Sequence, residues 1–192
     1  MPSPEPPPTR RLFFGIWPDE AQRAEFSHAT RKAVRACGGR PVPAENLHAT
    51  VLFVGSVLES RIPELAVIAT RAAAQAQPFD LVFDQIEFWE KPRVLVATAS
   101  PASAAGHAVA EALNRTLQRE TSRAGLHADV KPFHAHVTLA RKVGRVTHEL
   151  GMQPVAWRLS ELALIDSRTE PAGPVYTVLE SLPLGAGHSV RG

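Results

Sequence analysis

Leu47-His48-Ala49-Thr50-Val51-Leu52-Phe53-Val54 is an apolar run rich in β-branched residues, interrupted by one imidazole and one hydroxyl. That composition marks a buried or half-buried strand. Side chains two apart on a strand point the same way, so His48 and Thr50 share a face. Far downstream, Phe133-His134-Ala135-His136-Val137-Thr138-Leu139-Ala140 repeats the device and puts His136 and Thr138 on one face of a second strand. A core strand has no packing reason to hold a His-x-Thr pair. Two such pairs in one chain of 192 residues point to chemistry.

Around the first pair, Arg11 to Trp17 predicts a strand, and Pro18-Asp19 opens a helix that runs to Cys37 and stops at Gly38-Gly39. Pro41 to Asn46 is a stiff lead into the His48 strand, which ends at Gly55. A helix follows over Arg61 to Gln75, then a strand over Phe79 to Ile86, a turn at Glu90 to Arg93 and a returning strand over Val94 to Thr98. Ser103 to Ala124 carries Val109, Leu113 and Leu117 on one helical stripe and leads to the second His-x-Thr strand. Two last strands, Trp157 to Ile165 and Val175 to Leu182, flank a turn with Pro171, Gly173 and Pro174. The order predicts an α+β protein: two similar halves, each with one marked strand, related by a pseudo-two-fold and facing across a cleft. Residues 1–10 are a proline-rich tail, 11–184 one bilobal unit, and 185–192 a flexible end.

Composition narrows the function classes. The balance of 21 Lys and Arg against 19 Asp and Glu permits an anionic substrate, and no basic block is dense enough to track a long nucleic acid. Cys37 is the single cysteine, which fits a reducing compartment. With no spanning apolar run and no apolar signal core, the expectation is a cytoplasmic monomer.

Two imidazoles on opposite walls of a cleft can serve as general base and general acid, and two hydroxyls can bind the oxygens of an anion. That geometry suits in-line displacement at phosphorus without a metal or other cofactor. A competing arrangement is zinc on His134 and His136, recruiting Asp129, His127 or Asp166. Cys37, at a helix end with no obvious base, reads as packing. His28, His107, His127, His148 and His188 read as surface residues.

The residues also carry a resemblance. Arg11-Leu12-Phe13-Phe14, Arg40-Pro41-Val42, Asn46 to Gly55, Pro132 to Arg141, Ser167, Gly173-Pro174 and Tyr176, taken in order, resemble the 2H phosphoesterase superfamily. Within it the chain looks like the RNA 2′,3′-cyclic phosphodiesterases, also known as 2′-5′ RNA ligases. The resemblance implies a bilobal fold, two lobes of antiparallel sheet with outer helices around a central cleft. It implies hydrolysis of an RNA 2′,3′-cyclic phosphate end to a 2′-phosphomonoester, with no obligate protein partner. Carried over, His48 is the proton donor and His136 the proton acceptor, while Thr50 and Thr138 bind phosphate oxygens. Arg141 contacts phosphate or ribose, or is only a solvated strand end. His134 shares the face of His136 and orients it or touches substrate. Of Phe13 and Phe14 at most one reaches the cleft to stack on a base; Phe13 is the candidate, although core packing is the ordinary use of both. Ala49 and Ala135, where bulkier residues or proline are usual, should lie on the face away from the cleft. Making or cleaving a 2′-5′ linkage is the alternative activity, and a non-catalytic nucleotide- or RNA-binding module is the alternative of another class.

Overall fold

A computed structural model describes residues 6–100, 103–144, 146, 150–171 and 173–186. It contains strands β1 (Thr9–Ile16), β2 (Arg40–Pro41), β3 (Ala49–Leu58), β4 (Phe79–Trp89), β5 (Val94–Ala99), β6 (His136–Arg141), β7 (Gly151–Leu159), β8 (Glu161–Glu170) and β9 (Gly173–Pro183). Helices α1 (Glu20–Ala36), α2 (Ile62–Gln75) and α3 (Ala104–Arg123) complete it. The fold is α+β, with one curled antiparallel sheet in the order β7-β4-β5-β6-β3-β1-β8-β9 and β2 added beside β6.

The helices form where the sequence signals lie. Asp19 caps α1 by accepting from the Gln22 backbone N–H at 2.7 Å, while the Gln22 side chain accepts from the Asp19 N–H, closing a reciprocal box. Phe26 of α1 packs on Phe83 and Trp157, with ring centroids 5.5 and 4.7 Å away. Burying such a ring stabilises by roughly 2–3 kcal/mol. Helix α3 lies so close to β4 that a Cβ on Gly106 would stand 1.9 Å from the Asp80 carbonyl oxygen, which is why that turn needs glycine.

Alternation divides β1 between two environments. Leu12 and Phe14 enter the main core with Leu65, Leu113 and Leu117 of the helices. Phe13 joins a small cluster with Ala163 and Ile165 on the other face, packed against Trp17 and Tyr176. The helices therefore cover one face of the sheet, and the other face is left for the site.

Several expectations change. The two lobes are not consecutive halves of the chain: β3, β1 and the C-terminal β8 and β9 lie side by side in one lobe, with β1 pairing β8, while β4, β5, β6 and β7 form the other. The marked strands are neighbours in the sheet, joined at one registered pair, Ala49 with Val137. The run expected as one strand over Trp157 to Ile165 is two, broken at Ser160, because β7 pairs β4 in one lobe and β8 pairs β1 in the other. A continuous apolar pattern hides a change of partner. Strand β4 runs past Ile86 to Trp89. Strand β1 starts at Thr9, and the Pro8 carbonyl accepts from the Glu59 N–H at 3.0 Å, so the N-terminal tail is shorter than expected by that much. At the other end the Gly185 N–H donates to the Ala73 carbonyl at 3.0 Å. Pro2, Pro4, His148, His188 and positions 187–192 lie outside the described residues. Among the described residues no helix is long and apolar enough to cross a membrane.

Candidate active site

His48 stands immediately before β3, and His136 is the first residue of β6. Because Ala49 pairs with Val137 antiparallel, one step either way sets His48 opposite Thr138 and Thr50 opposite His136. Ala49 and Ala135 are buried on the far face, as expected. The His48, Thr50, His136 and Thr138 side chains line one cavity of about 420 Å³.

The two rings are held by the same contact. His48 Nδ1 lies 2.8 Å from the Asn46 carbonyl oxygen, and His136 Nδ1 lies 2.7 Å from that of His134. A carbonyl only accepts, so each Nδ1 carries the hydrogen and Nε2 is left to exchange protons. His134 thus orients His136, through its backbone, and its own exposed ring lines the same cavity.

A β-bulge follows each motif. On β6, Leu95 pairs with Ala140 and Val96 with Thr138, so Leu139 is the extra residue. On β3, Phe14 pairs with Leu52 and Gly15 with Thr50, so Val51 is extra. An extra residue advances the alternation by one. It brings Arg141 and Phe53, each five residues beyond its histidine, onto the cavity side. Each bulge carbonyl has a partner: Asn114 Nδ2 of α3 donates to Val51 O at 2.7 Å, and the Val42 N–H donates to Leu139 O at 2.8 Å.

The surroundings of the two imidazoles differ. Trp17 stacks on His48 with centroids 5.4 Å apart and planes 10° apart, Phe13 lies at 5.0 Å, and Tyr176 meets the ring edge-on at 4.8 Å. Burial among these rings pushes the His48 pKa down to about 4, against the Asn46 carbonyl; the charges of Arg141 and His136 push the same way. His136 packs on Trp89 at 4.6 Å. Its pKa is also lowered, mainly by burial and then by the His134 charge, while the His134 carbonyl and the Glu87 carboxylate oppose the fall. Glu87 accepts from Trp89 Nε1 and from Thr98 Oγ1, both at 2.8 Å. The Trp89 indole bond, more than any other contact, holds the Glu87 carboxyl below its ordinary range.

Other candidates fall into place. Arg141 reaches the cavity. Phe13 does not: only 1% exposed, it supports the His48 ring, and the exposed ring on that face is Phe53 at 40%. Phe53 was missed, although its offset from His48 equals that of Arg141 from His136. Glu87 and Trp89 lie on the end of β4 beyond Ile86, where the alternation of the sequence fades and the ladder with β5 continues. Asp166 is buried in β8 with Arg10 Nη1 at 3.3 Å, and His127 is exposed. Among the described residues no three His, Cys, Asp or Glu side chains gather to hold a metal ion. Cys37 is buried, its thiol donating to the Val34 carbonyl at 3.1 Å. His107, expected on the surface, is half-buried with Nε2 3.2 Å from the Ala99 carbonyl oxygen.

Known proteins resemble this arrangement. Residues 16–96 match the family described as LigT-like phosphoesterase. An RNA 2′,3′-cyclic phosphodiesterase of Thermus thermophilus is 32% identical over 188 residues, spanning 93% of this chain and 92% of that protein. One of Escherichia coli is 31% identical over 69% of this chain and 72% of its own length. The crystal structure of E. coli LigT complexed with 3′-AMP superposes with a TM-score of 0.80 at 27% identity, over 92% of this chain and 99% of that one. A Thermus thermophilus structure gives 0.75 at 29% identity, over 93% and 100%.

Proposed function

The chain belongs to the LigT-like phosphoesterase family, and we propose that it hydrolyses RNA 2′,3′-cyclic phosphate ends to 2′-phosphomonoesters without a metal ion. The observation that carries this reading is the convergence of His48, Thr50, His136 and Thr138 on one cavity, each imidazole anchored through Nδ1.

In this reaction Thr50 and Thr138 donate to the non-bridging oxygens and fix the phosphorus between the two rings. His136 Nε2 takes a proton from water as the water oxygen bonds to phosphorus. The bond from phosphorus to O3′ breaks, and His48 Nε2 gives its proton to the departing oxygen. The phosphate stays on O2′, and the two imidazoles have exchanged protonation states. Arg141 supports the developing negative charge from the rim.

The roles follow the family likeness, and the electrostatics set a condition on them. His48 is neutral in the empty site at neutral pH, so it takes up its proton with the anionic substrate, whose charge raises its pKa. Once loaded, a ring of depressed pKa is a strong donor to an alkoxide-like oxygen. Residues 11–184 work as one unit in this account, a monomer in the cytoplasm acting on a short RNA end. Incubation with a 2′,3′-cyclic nucleotide in excess EDTA tests the proposal. The expected product is the 2′-phosphate; loss of turnover in EDTA or a 3′-phosphate product refutes the mechanism.

A further inference from the structure

We propose that a second arm of the cleft binds the phosphodiester on the 5′ side of the terminal nucleotide, so that the site engages an RNA strand and not only its last residue. This rests on the function proposed above.

The cleft divides at the catalytic groups. One arm is the cavity already described, walled by Phe53, Trp89, Phe133 and His134. The other, of about 470 Å³, is lined by Arg40, Asn46, Lys142, Glu170 and Pro174 among others, and shares His48, Thr138, Arg141 and Tyr176 with the first. Each is large enough for about one nucleotide unit. Ring faces in the first arm suit a base, since stacking accepts any base. The second arm offers three cations against one carboxylate, Glu170, among its lining residues.

Those cations are placed by the backbone. Arg40 of β2 and Arg141 of β6 are registered directly opposite one another. The β6 bulge turns Arg141 to this side, and Arg40 reaches beneath the β8–β9 turn, its Nη2 3.7 Å from where a Cβ on Gly173 would stand. Lys142 follows in left-handed backbone, φ 54°, a conformation uncommon for lysine. The arm is also pre-formed, because Asn46 Nδ2 donates to the Pro174 carbonyl at 3.1 Å and ties the β9 end to the lead into β3. A ribose whose cyclic phosphate sits among the four catalytic side chains sends its base into the aromatic arm and its 5′ oxygen toward the cationic one.

The test compares kcat/KM for a 2′,3′-cyclic mononucleotide with that for a dinucleotide ending in the same cyclic nucleotide, at low and high salt. One charge-assisted contact predicts a gain of about tenfold for the dinucleotide, carried by KM and shrinking with salt. Lys142→Asn, chosen because asparagine tolerates left-handed backbone, and Arg40→Gln should each reduce that gain and leave mononucleotide turnover unchanged. Equal values for the two substrates, a gain that survives both variants, or a Lys142-dependent gain seen only with an added 5′-hydroxyl acceptor overturns the inference. No mononucleotide turnover by the intact protein counts instead against the proposed function.

Discussion

His48 and His136 hang from the same backbone device, an Nδ1 hydrogen bond to the carbonyl two residues earlier. Yet one ring sits among Trp17, Phe13 and Tyr176, and the other lies between Trp89 and the influence of a carboxylate. The strands supply the alignment, and the side chains around them supply different proton affinities. Pairs of titratable groups pushed apart by their surroundings are what acid–base catalysis requires. A pseudo-symmetric scaffold can thus carry an asymmetric reaction.

The largest way to break the comparison is to remove one ring at a time. His48→Ala and His136→Ala should each lower kcat on a cyclic nucleotide by about 10² or more. Their residual pH profiles should differ: loss of the donor removes the alkaline limb, and loss of the acceptor removes the acid limb. Matching profiles for the two variants would show that the rings share one role.

Removing a hydroxyl is the next step down. Thr50→Val and Thr138→Val should each cost about 10- to 100-fold in kcat/KM, the size of a hydrogen bond to a charged group. A cost falling on only one threonine would mean that a single wall binds the phosphate.

The carboxylate sharpens the contrast directly. Glu87 raises His136 and is not among the causes acting on His48. In Glu87→Gln the His136 pKa should fall further while that of His48 stays, read from imidazole resonances across pH. With both rings lowered in the free protein, kcat/KM should peak below pH 6.5, and kcat, which reports the anion-bound site, should peak higher.

The smallest effect is on stability. His48 has a folded pKa of about 4 against an ordinary 6.5, so between those values the unfolded chain takes up a proton that the folded one refuses. Its contribution is full above pH 6.5 and is lost as the pH falls through the window. Between pH 6.5 and 5.5 the loss is on the order of 1 kcal/mol, visible as a lower urea midpoint and smaller in His48→Gln.

Much of this was legible in the chain. The period-two placement of His48 with Thr50 and of His136 with Thr138 needs only strand geometry, and the helix ends at Asp19 and Cys37 needed only local chemistry. What failed was everything that depends on partners. Ser160 separates two strands because their neighbours lie in different lobes, and no local pattern records that. Phe13 is covered and Phe53 exposed because β3 bulges twice against β1, a property of the pair. Glu87 and Trp89 belong to β4 because β5 extends their ladder to Val94. The two imidazole–hydroxyl pairs could be read from one strand at a time; the groups that tune them could not.

The bulge at Leu139 has an evolutionary and engineering corollary. Inserting one residue directly after Leu139, with the bulge kept, would shift the alternation by one, swing Ala140 toward the substrate and send the guanidinium of Arg141 outward, with His136 and Thr138 untouched. Selectivity in this cleft is therefore a matter of chain register as much as of residue identity. A library that varies length at positions 51 and 139 would sample new substrate preferences that point substitutions never reach.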